Sequence, residues 1–302
     1  MISIDIIIVN YNSTNHLLRC LRSIFDDLHE VPAKIFVQDN ASEDNIDRLN
    51  DIFPTVRLCR NSHNIGFSKA VNNALKISTA DFILILNPDT FVVSGFFEPI
   101  LEYMERHPDV GIVGPRILNN DGSLQGSARS HPSPLTAFFG RSSALSKWFP
   151  SNRLTCQNLL TTRSDGLNPM EADWVSGACM LVRRETLNDV GFMDERFFMY
   201  WEDADWCRRM WAKGWKVVYF PRISIVHYVG ASSEKFLFRP ILEFHKSSYR
   251  LFDKYNKPSL WFLKPLVIAG LSLRVPFRLA SNGIRVWRGR HNIKWRPPSQ
   301  SE

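Results

Sequence analysis

The stretch Ile4-Asp-Ile-Ile-Ile-Val-Asn10, followed by Tyr11-Asn-Ser-Thr14 and then by Leu17, Leu18, Leu21, Ile24, Phe25 and Leu28, decides the fold class. A run of β-branched residues predicts a buried strand, the polar cluster a loop, and apolar positions at helical spacing an amphipathic helix. The unit then recurs. Residues 34–38 read as a second strand running into Asp39-Asn-Ala-Ser42, with a helix over about residues 44–53. A short strand at 56–58 precedes Asn64-Ile-Gly-Phe-Ser-Lys-Ala-Val-Asn72 and another helix. Phe82-Ile-Leu-Ile-Leu86 runs into Asn87-Pro-Asp89, before a helix over about residues 96–107. Alternation of this kind predicts an α/β domain whose central sheet is mostly parallel and covered by helices on both faces. The polar clusters that follow successive strands then collect at one sheet edge, where such folds bind ligands.

Farther along, Val110-Gly-Ile-Val-Gly114 is followed by residues 119–169, rich in Ser, Asn, Pro and Gly with apolar islands at residues 135–139 and 148–149. Two readings fit this excursion: a surface loop packed by its own aromatics, and a lid facing an acceptor. Regular patterning resumes at residues 173–182, with a helix from Arg184, a loop at 191–196, a helix over about 202–213, and strands at 216–220 and 223–227.

The chain has 302 residues, 44% of them hydrophobic, and a formal net charge of +7. This is a globular composition, with material for one large domain or two modest ones. Between Lys254 and Ser301 there are ten Lys or Arg and no acid, which leaves 27 bases against 29 acids in residues 1–253. The basicity therefore belongs to the tail, and a generally basic protein is excluded. Cys20, Cys59, Cys156, Cys179 and Cys207 are odd in number and form no C-x-x-C pair, so they read as reduced thiols of a cytosolic chain rather than a zinc site. The apolar start is short, broken by Asp5, and lacks a basic lead and a cleavage site, which makes it a strand and not a signal peptide.

Neither G-x-G-x-x-G after the first strand nor G-x-x-x-x-G-K-[ST] occurs, so the common phosphate loops are missing. The strand ends offer carboxylates instead. Asp89 leaves an apolar strand at the cleft mouth, where a hard oxygen donor suits Mg²⁺ or Mn²⁺ held jointly with a diphosphate. Asp39 can accept the imide N–H of a pyrimidine. A carboxylate at a strand end also serves as a helix cap or turn former, and periodicity does not separate these roles. Glu202, Asp203 and Asp205 open a helix among Phe197, Phe198, Tyr200, Trp201 and Trp206. Complementing the helix dipole and pairing with Arg208 and Arg209 accounts for Asp205. Glu202 and Asp203 are better explained by a base that takes a proton from a sugar hydroxyl. His227, ending the last strand, reads either as a core or capping histidine or as a ligand.

Six motifs in order, Val9-Asn-Tyr-Asn12, Gln38-Asp-Asn-Ala-Ser42, Asn64 to Asn72, Leu86-Asn-Pro-Asp89, Trp174-Val-Ser-Gly177-Ala and Trp201-Glu-Asp-Ala-Asp205, resemble the family 2 inverting glycosyltransferases of the GT-A fold. Within that family the chain is most similar to the bacterial rhamnosyltransferases that build surface polysaccharides, over about residues 3–255. The resemblance implies a nucleotide-sugar donor, a divalent cation, Mg²⁺ or Mn²⁺, and direct displacement at the anomeric carbon. It assigns base recognition to Asp39, with Asn10 and Tyr11 along the pyrimidine, and donor approach to Asn64 and Gly66. Asp89 matches the last acid of the D-x-D motif, whose first position is here Asn87, and His227 matches a histidine that joins the metal shell. Asp203 matches the catalytic base, with Glu202 beside it. The expected organisation is a nucleotide-sugar-binding half at 1–110, an acceptor-binding and catalytic half at 111–235, and a helical tail from 236.

Residues 260–273 form an apolar stretch of fourteen, below the roughly twenty needed to span a bilayer. Beyond them come seven bases from Arg274 to Arg296, interleaved with Phe277, Trp287 and Trp295. This composition predicts a tail lying on an anionic inner leaflet, not one that binds nucleic acid. The expected protein is cytoplasmic and peripherally attached to the inner face of the plasma membrane. Its acceptor there would be a polyprenyl-diphosphate-linked saccharide and its donor a dTDP- or UDP-sugar. Rhamnose leads; UDP-galactofuranose, UDP-glucose and UDP-N-acetylglucosamine are the alternative donors, and a non-catalytic nucleotide-sugar-binding subunit is the rival of another class.

Overall fold

The computed structural model describes residues 2–29, 31–131, 159–228 and 238–289, with side chains to residue 279. Two compact units divide the chain, Met1–Ser232 and Ser233–Glu302. The apolar islands at 135–139 and 148–149, Cys156, and the basic residues from Arg285 onward lie outside the described side chains.

In the first unit, strand β1 (Ile4–Asn10) is buried at every position. Its neighbours are β2 (Ala33–Asp39) and β4 (Phe82–Leu86), both parallel to it, with β3 (Arg57–Arg60) parallel to β2. The alternation of side chains along a strand explains why both faces are apolar. Ile4, Ile6 and Ile8 join one core cluster with Leu17, Leu21 and Ile24 of helix α1 (Thr14–Leu28), whereas Ile7 and Val9 join another with Val71 of helix α3 (Phe67–Leu75). Asp5 faces the second side and is satisfied there: it accepts from Ser78 Oγ (2.7 Å), Thr79 N–H (2.8 Å) and Ala80 N–H (3.1 Å). The helix expected over 44–53 is confined to α2 (Arg48–Ile52). Asp44 is withdrawn from it because its carboxylate accepts from Thr14 N–H (2.7 Å) and Thr14 Oγ1 (2.8 Å), closing the start of α1.

Past β5 (Thr90–Val92) and helix α4 (Phe97–Arg106), β6 (Val110–Leu118) is followed by a short hairpin to β7 (Ala128–Arg129), which pairs with β9 (Trp174–Val175). The two-residue β8 (Met170–Glu171) pairs with β11 (Lys216–His227). Strand β10 (Cys179–Arg183) enters between β4 and β6, antiparallel to both, giving the order β3-β2-β1-β4-β10-β6-β11-β5. The sheet is thus parallel through its first four strands and mixed beyond them. Helices α5 (Thr186–Val190) and α6 (Glu202–Ala212) complete the unit. The two strands expected at 216–220 and 223–227 are one, β11, with a register shift between Phe220 and Ser224. Pro221, which has no N–H to give the ladder, sits in that irregularity.

The second unit contains α7 (Phe238–Tyr255), a 3₁₀ turn at Pro258–Leu263 and α8 (Lys264–Gly289), with Lys264 paired to Asp253 at 2.5 Å. The apolar helical stretch runs beyond residues 260–273: Pro258–Leu279, 22 residues with an 18-residue window of mean hydropathy 1.4, is long and apolar enough to cross a membrane by length and composition only. Lys264, Arg274 and Arg278 lie within it. Trp261, Phe262, Leu266, Leu273 and Phe277 are exposed along it.

Candidate active site

Register alone brings the first polar loops together. Asn10 lies opposite Asp39, and Leu86, the last residue of β4, lies opposite Ile8, so the three strands deliver their polar ends to one edge. Asn10 Nδ2 donates to Asp39 Oδ1 (2.9 Å), Ser42 Oγ donates to the same oxygen (2.5 Å), and Ser42 N–H donates to Asp39 Oδ2 (3.1 Å). A carboxylate has about four lone-pair sites, so one on Oδ2 stays open for a ligand donor. Asn10 Oδ1 is buried and receives no hydrogen bond from the described residues. Tyr11 lies in the adjoining loop, half-buried.

The segment at 64–72 packs on a later loop of the chain. Asn64 Oδ1 accepts from Gly66 N–H at 3.0 Å. Gly66 has φ +89°, and a Cβ there would lie 2.7 Å from both the ring and the carbonyl oxygen of Phe198. Phe67 N–H donates to Phe198 O (2.7 Å), Ser68 Oγ to Phe197 O (2.7 Å), and Asn72 exchanges two hydrogen bonds with the Met193 backbone. This helix start therefore clamps the loop that leads to α6. Tyr200 and Trp201, at φ 70° and 71°, are left-handed in succession at the end of that loop. Residues of this kind are held so only where their surroundings over-determine them.

What the turn presents is a pair of acids, Glu202 buried and Asp203 half-buried. Asp203 Oδ2 accepts from Gly177 N–H (2.9 Å) and Oδ1 from Ala204 N–H (2.8 Å). Burial raises the Asp203 carboxyl above its ordinary range, against the pull of those two N–H groups and the Arg129 charge. Glu202 is pushed well up, first by burial and then by the charge of Asp203, and its Oε2 is buried without a hydrogen bond. Asp205 is paired with Arg209 at 3.0 Å, which accounts for it as a structural residue. Gly177 packs closely there: a Cβ would sit 3.3 Å from the Asp203 Cβ, so a larger residue would have to displace Asp203 by a few tenths of an ångström.

The neighbouring residue, Ala178, accepts from Asn87 N–H at 3.0 Å. The dipeptide Gly177-Ala178 thus ties Asp203 to the Asn87-Pro-Asp89 loop. Tyr200 lies within reach of both sides: burial, then the charges of Glu202 and Asp89, push its phenol up to about 12. His227 pairs with Thr90 across the β11–β5 ladder, and Tyr228 N–H donates to Asp89 O at 2.9 Å. This puts His227 Nε2 3.3 Å from Asp89 Oδ1, a buried oxygen that receives no hydrogen bond from the described residues. Asn87 Nδ2 is 3.5 Å from the same nitrogen, too long for a good hydrogen bond. A bare carboxylate oxygen beside an imidazole nitrogen suits a divalent cation. Among the described residues no cluster of three or more His, Cys, Asp or Glu forms, so such an ion would complete its shell from substrate phosphates and water. The described cysteines are free: Cys20, Cys179 and Cys207 are buried and Cys59 is half-buried. Burial raises the Cys20 thiol to about 12, which removes it from nucleophilic chemistry.

The chain belongs to glycosyl transferase family 2, whose model matches residues 5–191, and its mixed α/β sheet has the architecture of the GT-A class. It is 32% identical over 277 residues to an N-acetylglucosaminyl-diphospho-decaprenol L-rhamnosyltransferase of Mycobacterium tuberculosis, covering 87% of each chain. It is 24% identical to the dTDP-rhamnosyl transferase RfbF of Shigella flexneri, over 87% of this chain and 84% of that one. Among solved structures, the mannosyltransferase PcManGT of Pyrobaculum calidifontis, in complex with GDP-Man and Mn²⁺, shares the fold at TM-score 0.53 and 15% identity, over 97% of this chain and 76% of that one.

Proposed function

We propose that this glycosyltransferase moves rhamnose from a dTDP- or UDP-linked donor to a hydroxyl of a polyprenyl-diphosphate-linked saccharide, inverting the anomeric carbon. The observation that supports it is the Gly177-Ala178 link, which connects Asp203 through one hydrogen bond on each side to the Asn87-Pro-Asp89 loop, where Asp89 faces His227. The names of the relatives supply the donor and acceptor classes.

In this reading residues 1–110 bind the nucleotide: the open lone pair of Asp39 accepts the pyrimidine imide N–H, and Asn10, Tyr11, Asn64 and Gly66 line the approach. Asp89 and His227 would hold the divalent cation, with Asn87 beside them. Mn²⁺ is favoured modestly over Mg²⁺ by the imidazole. When bound, the cation neutralises charge on the departing diphosphate. Residues 111–235 orient the acceptor. Asp203 takes the proton of the acceptor hydroxyl as that oxygen attacks C1, and the C1–O bond to the diphosphate breaks with its electron pair leaving on phosphate. The raised affinity of Asp203 for a proton strengthens it as a base. Glu202, pushed well up by burial and by its neighbour's charge, holds its proton the more tightly and leaves Asp203 the readier of the two to ionise.

The tail from residue 236 attaches the enzyme to the inner leaflet, where the acceptor lipid resides. Its exposed Trp261, Phe262 and Leu266 are the contacting groups. Incubation with dTDP-rhamnose and the three UDP-sugars, with and without a lipid-linked acceptor, tests the whole reading. Acceptor-dependent release of dTDP is expected. Release from a UDP-sugar alone would replace the donor, and no release from any of them would support a non-catalytic subunit. A chain ended at Asn256 is expected to leave the membrane pellet, and salt-resistant retention of the full chain would favour insertion of Pro258–Leu279 over surface attachment.

A further inference from the structure

Gln125 carries no role in any of the motifs above. It lies in the hairpin between β6 and β7, 4% exposed, and its backbone N–H is anchored on Ile117 O at 2.8 Å. Its side-chain Nε2 donates to His227 O (2.9 Å) and to Leu118 O (3.4 Å). Both partners are carbonyl oxygens, which only accept, so the amide can face them with its NH₂ group alone. The opposite end of the amide is then fixed as the carbonyl, and Gln125 Oε1 faces His227 Nδ1 at 3.2 Å. An acceptor at that place demands a proton on Nδ1.

We infer that Gln125 is the positioning residue that locks His227 in its Nδ1–H tautomer and so leaves Nε2 unprotonated beside Asp89, available for metal ligation. The consequence is electrostatic. A lone pair 3.3 Å from a carboxylate oxygen that receives no hydrogen bond is repulsive until a cation lies between the two. The hairpin thus prepares a two-ligand seat in advance. Histidines that bind metals almost always donate their other ring N–H to an oxygen acceptor, which fixes both the tautomer and the ring plane. Here the acceptor is 102 residues away in sequence and is itself held by the backbone of the histidine it orients. The inference rests on the reading of Asp89 and His227 as metal ligands.

The test begins with the unsubstituted, metal-free protein. In mildly alkaline buffer, ¹⁵N NMR of the imidazole nitrogens, with His227 assigned through a His227→Asn variant, is expected to show the proton on Nδ1 and none on Nε2. A proton resident on Nε2 would overturn the inference without any variant. Mn²⁺ binding in the presence of dTDP is then titrated for the unsubstituted protein and for Gln125→Met. The variant is expected to lose about 10- to 100-fold in Mn²⁺ affinity and the single-tautomer signature, with metal-free dTDP affinity unchanged. Unchanged Mn²⁺ affinity in Gln125→Met would sink the positioning role. If dTDP binding by the unsubstituted protein ignores Mn²⁺ altogether, the metal reading falls and takes the ligand role of His227 with it. The tautomer measured beforehand still reports whether Gln125 sets the ring, so the two failures are distinguishable.

Discussion

Two carboxylates at one sheet edge, Asp39 and Asp89, are built in opposite ways. Asp39 receives three hydrogen bonds from Asn10 and Ser42, much as the structural Asp5 receives three from Ser78, Thr79 and Ala80. Asp89 has a buried oxygen with no donor, faced by a histidine nitrogen, and Glu202 has another. A buried polar atom left unsatisfied costs about 1–3 kcal/mol, so a fold that carries several at one site is held together elsewhere. In the proposed reading the nucleotide end leaves one amide oxygen, Asn10 Oδ1, to be met by the ligand, whereas the chemical end leaves carboxylate oxygens for substrate and cation. The contrast explains why the clamp of Gly66, Ser68 and Asn72 on residues 193–198 is so extensive: it supports the end that does not support itself.

Four substitutions probe that contrast, in falling order of effect. Asp203→Asn keeps the size of the side chain but removes the base, and turnover should fall by about 10³-fold while nucleotide affinity changes little. Near-normal turnover would remove Asp203 from its role. In the parent enzyme the acid limb of kcat/KM should lie above the ordinary carboxylate range, because burial raises Asp203. Asp89→Ala should abolish the Mn²⁺-dependent part of nucleotide affinity, a loss of about 10²-fold by calorimetry, and should leave thermal stability almost unchanged because no hydrogen bond to Oδ1 is lost. Asp39→Ala is the mirror case. It strands the Asn10 and Ser42 donors, so stability should drop by about 2–3 kcal/mol in urea titrations together with nucleotide affinity. An Asp39→Ala protein as stable as its parent would erase the distinction between the two ends.

The smallest effect concerns pH. Glu202 holds its proton more tightly folded than unfolded, so its contribution to stability is full below its unfolded pKa and is lost as pH rises through the folded one. Glu202→Gln, which mimics the protonated acid, should therefore gain stability over its parent as pH increases from the ordinary carboxylate range upward. Melting curves that stay parallel across that range would mean that Glu202 ionises freely.

Reading the chain in one dimension reached the site unevenly. Asp39, Asp89 and His227 stood out because strands that are buried on both faces must end in polar groups, and those ends contrast with continuous apolar runs; Asp203 stood out for another reason, as an acid opening a helix among aromatics. Gln125 was not. It sits among Gly122, Ser123, Gly126 and Ser127, where nothing in residue type separates an anchored hairpin from a loose loop. The nearest signal is a buried-sized amide between two alternating apolar strands, too common to act on. The role of Gly66 was legible as close approach, but the partner that the structure supplies is Phe198. The antiparallel β10 was hidden for a related reason. An apolar pentapeptide such as Cys179–Arg183 has no direction in its pattern, and only its insertion between β4 and β6 gives it one.

Periodicity and residue chemistry by themselves determined the α/β class, the sheet edge that carries the acids and the division between a balanced catalytic region and a basic tail, because these depend on local hydrophobic pattern and on charge. Tertiary structure alone decided which polar ends face one another: the register that seats His227 against Asp89, the Gly177-Ala178 link to Asp203, and the amide of Gln125 behind the imidazole. Hydrogen bonds reach only about 3 Å, and no spacing along a chain specifies a contact that short between residues a hundred positions apart.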